Sequence, residues 1–255
     1  MGDDVSPESP TTTTTTSSPK SPPLNYASPP PRGSALAGRD ELAYVLPMGL
    51  FLALVWFGGT WPALYPAAYV LRTIAVAALL VALRRHYTPV RWNAWGLGLI
   101  VGVAGIVQWV GMQLWLQRAF PSWFAPSPDP FDPTTAFDSP AVVWAFVAVR
   151  VIGAVLVVPV MEELFWRDYL WRQLLAPNDF KLAAVGEWGW LPFLGVSAAF
   201  AVVHGNWWLT SIVWGLMVAG LLVYTKSLGA CIVAHATTNL LLAAYVLWTR
   251  DWSFW

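Results

Sequence analysis

The chain has 255 residues, of which 57% are hydrophobic and only 11% charged. A soluble domain carries roughly 25% charged residues, so this composition excludes one that covers itself with a water-facing surface. The 14 basic and 14 acidic residues cancel to zero net charge, which leaves no electrostatic footprint for nucleic acid, and the lone Cys231 excludes an intrachain disulfide framework or a Cys-cluster metal site.

Residues 1–40 hold eight Pro and a run of six Thr, Thr11 to Thr16. Such a segment buries too little surface to offset the entropy of ordering it, and the expectation is a disordered Pro/Thr/Ser-rich tail. From Leu42 onward the chain reads as apolar runs between short polar breaks, the pattern of an all-α, polytopic transmembrane helical bundle. The runs are Leu42–Phe57, Ala63–Leu83, Trp95–Leu116, Ala141–Met161, Leu191–His204, Trp207–Tyr224 and Leu228–Trp248. Crossing the hydrocarbon takes about 20 residues of helix, so seven spans are expected, six to eight at the limits, with Leu191–His204 too short to cross comfortably. Pro47, Pro62 and Pro159 are expected to kink or bound their helices. The 18 Trp are expected to be mostly interface anchors.

Lys and Arg orient such a bundle, because they concentrate on the cytoplasmic side. Arg84, Arg85 and Arg91 follow the second run, Arg167, Arg172 and Lys181 the fourth, and Lys226 the sixth, whereas the Pro-rich loop after the third carries Asp129, Asp132 and Asp138 against Arg118 alone. This fits a cytoplasmic tail over 1–40, and N-terminal transmembrane helices with an acidic outside loop over 41–140. With seven spans the C-terminus, Arg250–Trp255, lies outside. Residues 141–255 form the region where the chemistry-bearing residues gather.

Ionisable groups inside apolar runs are costly and therefore candidates for function. Arg72 and Arg150 are expected to snorkel or to pair with a carboxylate. The fourth run ends in Glu162 and Glu163, where a simple stop signal needs only Lys or Arg. On a helix Glu163 and Arg167 stand at i and i+4, acid first, the favourable order. Glu162 points about 100° away and has no local partner, which suits a general base or, equally, an interfacial charge cluster capping a helix end. His204 closes an apolar run, and His235 shares a helical face with Asn239 four residues on. A single buried His is more often a satisfied core residue, but two His, an Asn and a Glu pair in three apolar runs point to a site.

Together Glu162-Glu163-x-x-x-Arg167, Phe200-x-x-x-His204 and His235-x-x-x-Asn239 resemble, in order and spacing, the three motifs of the CPBP family of CAAX prenyl endopeptidases and bacteriocin-processing (Abi) enzymes. The resemblance covers about Ala141 to Trp248. The stretch Val158–Arg167 is also similar to the bacterial subgroup found with exosortase and PEP-CTERM sorting systems, which implies the plasma (inner) membrane of a bacterium. The resemblance implies an all-helical membrane fold with a cavity inside the bilayer, and peptide hydrolysis by a Glu-activated water without an acyl-enzyme or a cofactor. Glu162 becomes the general base, His204 and His235 hold the water or protonate the leaving amine, Asn239 donates to the oxyanion, and Glu163 with Arg167 forms a supporting pair. The implied partner is a membrane-associated protein or peptide, with C-terminal sorting or prenylated segments among the substrates such enzymes take.

Depth poses a problem for this reading. Glu162 follows a full apolar run and so approaches the cytoplasmic surface, while His204 lies about 20 Å from the start of its own run at 1.5 Å per residue. The two meet if the fourth helix continues through Leu164–Leu175, which the apolar residues there favour, or if Leu191–His204 is a tilted half-helix. Three rival readings stand beside the hydrolase. Zinc held by Glu and His has no His-Glu-x-x-His helix to support it. A thiol protease needs Cys231 and His235, at i and i+4, to act together. A membrane scaffold or immunity-type partner needs only polar side chains bridging helices.

Overall fold

The computed structural model describes residues 1–2, 34–126 and 129–255. The chain divides into Met1–Pro31 and Arg32–Trp255. Of the first unit only Met1 and Gly2 are described, so most of the expected tail lies outside the described residues, although residues 34–40 already belong to a helix.

Every regular element among the described residues is helical. Seven principal helices follow in order: α1 (Ser34–Thr60), α2 (Tyr65–Ala82), α3 (Trp95–Ala119), α4 (Pro140–Leu175), α5 (Trp190–Val202), α6 (Trp208–Thr225) and α7 (Leu228–Thr249). All except α5 fall in the six segments long and apolar enough to cross a membrane. At 13 residues α5 reaches only about 20 Å. The seven apolar runs read from the sequence therefore recur as helices, and the run expected to fall short does.

The loops alternate between two ends of the bundle. At one end Asn93 donates to the Thr225 carbonyl, Ser227 Oγ donates to the carbonyls of Arg91 and Asn93, and the ammonium of Lys226 to the carbonyl of Gly186. Lys181 joins Asp40 at 2.6 Å there, with His86 Nδ1 on the other Asp40 oxygen at 2.8 Å. At the opposite end Tyr65 packs on Phe131, Phe124 stacks on Trp208, and Phe254 meets Trp207. The first end is basic, with Arg84, Arg85, Arg91, Lys181 and Lys226 in its loops; the second holds Asp129, Asp132, Asp138 and Asp251. Exposed Trp mark both, Trp92, Trp95 and Trp190 at the basic end and Trp61, Trp123 and Trp248 at the acidic end, as interfacial anchors do. Trp166, Trp171, Trp214 and Trp252 are instead buried.

Two local features position the site. A glycine stripe on α3 lets α7 approach closely: a Cβ on Gly98, Gly102 or Gly105 would lie 2.5, 2.7 and 2.6 Å from the Ala230 carbonyl, the Ala234 carbonyl and Thr238 Oγ1, the small-residue packing that helices use in lipid. In α4, two π-helical turns, Gly153–Val157 and Leu164–Leu170, flank the α-helical turn Val158–Glu163. The first has its cause in Pro159. Val158 N–H reaches back to the Gly153 carbonyl, and Pro159, next in line for the Ala154 carbonyl, has no N–H to give. Asn239 Nδ2 on α7 donates to that orphaned carbonyl at 2.7 Å, so a neighbouring helix satisfies the backbone that the proline frees.

Candidate active site

The helix α4 runs unbroken to Leu175, and this continuation, together with a short α5, brings Glu162 to the level of both histidines. Glu162 is buried, and its Oε2 has no hydrogen-bond partner. It lines a cavity of about 110 Å³ with Val158 of α4, Trp109 of α3, Phe200 of α5 and His204 just beyond it, Trp214 of α6, and His235, Thr238, Asn239 and Leu242 of α7. The four residues singled out as catalytic candidates, Glu162, His204, His235 and Asn239, thus share one cavity although they come from three separate stretches of chain.

Each histidine is held by one nitrogen. His204 Nδ1 lies 2.7 Å from the Phe200 carbonyl; a carbonyl only accepts, so Nδ1 carries the proton and Nε2 is left with its lone pair. His235 Nδ1 lies 2.9 Å from Glu163 Oε1, which fixes the ring in the same tautomer and again leaves Nε2 as the free acceptor. Glu163 Oε1 also accepts from Arg167 Nη1 at 3.2 Å, with both side chains fully buried. The i,i+4 pair expected from the sequence is present, and it does more than support the helix, since its carboxylate orients His235. The Arg167 guanidinium lies over Phe200 at 4.9 Å and Trp214 at 5.4 Å. Those rings are two walls of the cavity, so the cation stabilises them as well as the carboxylate. Asn239 spends one amide N–H on Ala154, and its second N–H remains.

Beneath this layer lies a second buried pair that the sequence reading passed over. Asp168 meets Arg172 at 2.5 Å and accepts from the Tyr44 hydroxyl of α1 at 2.8 Å. Arg172 also donates to Thr88 Oγ1 and to the carbonyls of Ala183 and Lys181. The spacing is again i,i+4 with the acid first, the signal used for Glu163 and Arg167, and it could have been read the same way. Elsewhere, neither Arg72 nor Arg150 forms an ion pair with a carboxylate among the described residues. Arg72 lies 3.9 Å from the centre of the Tyr69 ring, and the buried Arg150 sits among Tyr65, Tyr69 and Trp255.

The thiol-protease chemistry meets this geometry poorly. Cys231 is fully buried with its sulfur toward the Val218 carbonyl at 3.8 Å, while His235 Nδ1 is committed to Glu163. Among the described residues no group of three or more His, Cys, Asp or Glu is arranged to hold a metal ion. Trp166 is buried against Phe165 and Phe200 and does not line the cavity.

Comparison with known proteins gives one match. Residues 143–241 fit the family model described as "Type II CAAX prenyl endopeptidase Rce1-like". That range starts in α4, ends in α7, and includes all four lining candidates and the Glu163–Arg167 pair. No curated protein and no solved structure matches the chain.

Proposed function

We propose that this chain, whose residues 143–241 match the model of the Rce1-like type II CAAX prenyl endopeptidases and whose helices include six long and apolar enough to cross a membrane, is an integral membrane peptidase that hydrolyses a peptide bond of a membrane-associated protein by a glutamate-activated water, without a metal. The observation that carries this reading is Glu162: a buried carboxylate oxygen with no partner, in a cavity that also holds His204, His235 and Asn239. In this mechanism water sits between Glu162 and His204 Nε2. Glu162 takes its proton as the hydroxide forms a bond to the scissile carbonyl carbon. The second N–H of Asn239 donates to the resulting oxyanion, a fixed donor aimed where charge develops. Collapse breaks the C–N bond, and the proton held by Glu162 passes to the leaving amine, directly or by way of His235 Nε2. The Glu163 carboxylate stabilises the imidazolium if His235 carries that proton in transit.

The basic end of the bundle, with its loop Lys and Arg, is proposed as the cytoplasmic face, which puts the N-terminus in the cytoplasm and the C-terminus outside, in the plasma (inner) membrane of a bacterium. The stretch Val158–Arg167 supports placing the chain in the exosortase-associated bacterial subgroup.

The test compares membranes containing wild type or Glu162→Gln. New protein termini that arise only with wild type are expected, with the variant folded and slower by roughly 10²- to 10⁴-fold, the scale of general-base catalysis. Identical termini from two folded proteins would sink the hydrolase and leave the scaffold. Activity of the purified enzyme is expected to survive a chelator; loss that added zinc restores would replace the metal-free mechanism.

A further inference from the structure

Arg72 of α2 and Arg150 of α4 lie in membrane-spanning segments and form no ion pair with a carboxylate among the described residues. They converge on one ring. The centre of Tyr69 lies 3.9 Å from the Arg72 guanidinium carbon and 5.4 Å from that of Arg150. Both helices begin at the acidic end of the bundle, at Tyr65 and at Pro140. Side chains on a helix tilt toward its N-terminus, so both cations reach toward that end. Tyr65 and Trp255 complete the surround, their ring centres 5.7 and 4.6 Å from the Arg150 guanidinium. Close packing fixes the two helices here, since a Cβ on Gly153 would lie 2.8 Å from Thr73 Oγ1, and the Tyr69 hydroxyl donates to the Arg150 carbonyl at 3.3 Å. Arg150 is nevertheless incomplete. It is 2% exposed, and its Nε and Nη1 have no hydrogen-bond partner in the protein. A guanidinium cannot shed its proton, and aromatic faces offset only part of the cost of burying one.

We propose that Arg150 and Arg72, with Tyr65, Tyr69 and Trp255, form a binding site for a phosphate anion, delivered at this level of the bundle by the headgroup of an anionic lipid. The chemistry follows from the donors. Two guanidinium forks match the oxygens of a phosphate and hold it by charge-assisted hydrogen bonds. Arg150 is the buried floor, while Arg72, Tyr65 and Trp255 are only half-buried and form the rim. Tyr and Trp sit by preference at the headgroup level of a bilayer, and basic pockets between membrane helices take anionic headgroups. None of these five residues lines the cavity that holds Glu162, so the site does not rest on the hydrolase reading. Arg150 stands one turn before Ala154, whose carbonyl Asn239 holds. A headgroup bound there braces α4 beside its first π turn.

The full chain, purified in dodecyl maltoside, a detergent without phosphate, is titrated separately with phosphatidylglycerol, phosphatidylcholine and inorganic phosphate. Native mass spectrometry reads the bound ligand, and thermal unfolding is followed on the same samples. Phosphatidylglycerol is expected to remain bound to wild type and to raise its unfolding temperature more than phosphatidylcholine does. Arg150→Gln and Arg72→Gln should each weaken phosphatidylglycerol binding by roughly 10- to 100-fold, the scale of lost hydrogen bonds to a charged group. Arg150→Lys should fall between, because it keeps the charge without the fork. Arg118→Gln, at an exposed base of the same end, should bind as wild type does. If Arg150→Gln does not fold, Arg72→Gln decides. Inorganic phosphate that protects wild type as well as the lipid, and fails in the same variants, supports the anion site with free phosphate as its ligand. Wild-type affinity for phosphatidylglycerol in the folded Arg150 and Arg72 variants would overturn the site. So would an equal loss in Arg118→Gln, which would reduce the binding to general attraction between charges.

Discussion

Along the most apolar stretch of α2 only 17% of residues are buried, whereas α6 and α7 bury 44% of theirs. The difference follows what each helix faces. Lipid is as apolar as leucine, so α2 can leave Leu71, Ile74 and Val81 exposed and needs no polar partner along that face. The later helices turn Trp214, Thr238 and His235 inward, and α4 brings in Glu162, Glu163, Arg167 and Asp168. Each of these groups is expensive in a dry interior unless another helix completes it. The N-terminal helices behave as a brace and the C-terminal ones as a machine, and substitutions should separate the two.

The largest effect should come from Glu162→Gln, which removes the base and leaves the fold, a loss of roughly 10²- to 10⁴-fold in turnover. Arg167→Met should do the opposite. Removing one partner of a buried ion pair costs about 3–5 kcal/mol, so a large fall in thermal stability in detergent is expected. The activity of whatever fraction remains folded should also fall, because Glu163 loses the guanidinium that holds its carboxylate against His235. A stable, active Arg167→Met protein would show that the pair is dispensable to the machine.

Asn239→Ala should lower turnover by about 10²- to 10³-fold, the usual cost of a lost oxyanion donor, and should also orphan the Ala154 carbonyl. Asn239→Gln keeps an amide but displaces it. If it restored stability and not activity, the two duties of this side chain would be resolved. Gly102→Val tests the packing that sets α7: its branches would meet the Ala234 carbonyl and Thr237, and overpacking of that kind costs about 1–3 kcal/mol. Unchanged stability would mean that α3 and α7 are not pressed together as described.

Much of this contrast was legible in the sequence, for a physical reason. Hydropathy is local, so the seven apolar runs, and the brevity of α5, could be read without neighbours. The pairing of Glu163 with Arg167 is also local, one helical turn. What could not be read is long-range. His235 is 72 residues from Glu163, and Asn239 is 85 from Ala154, so neither the orientation of the histidine nor the second duty of the asparagine is encoded in spacing. The π turns are a further case. Pro159 predicts a disturbance, but whether the helix kinks or gains a residue depends on a donor from α7. Asp168 and Arg172 were within reach of the same i,i+4 rule, and were passed over because the residues around them read as the apolar continuation of α4.

The smallest effect sharpens the comparison within a single helix. Ile74 and Val76 stand two residues apart in α2, one 63% exposed and the other 0%. Val76 belongs to the same buried cluster as Met161, Trp166 and Phe200, so it is a point where the brace touches the machine. Val76→Ala opens a void that neighbouring side chains fill only in part, and measurable destabilisation is expected. Ile74→Ala replaces one lipid contact by another, and a change within about 0.5 kcal/mol is expected, as at an exposed site of a soluble protein. Thermal unfolding of both in the same detergent decides the point. Equal losses would mean that Ile74 packs against protein in the membrane, through a second copy or another chain, and that the brace is itself an interface.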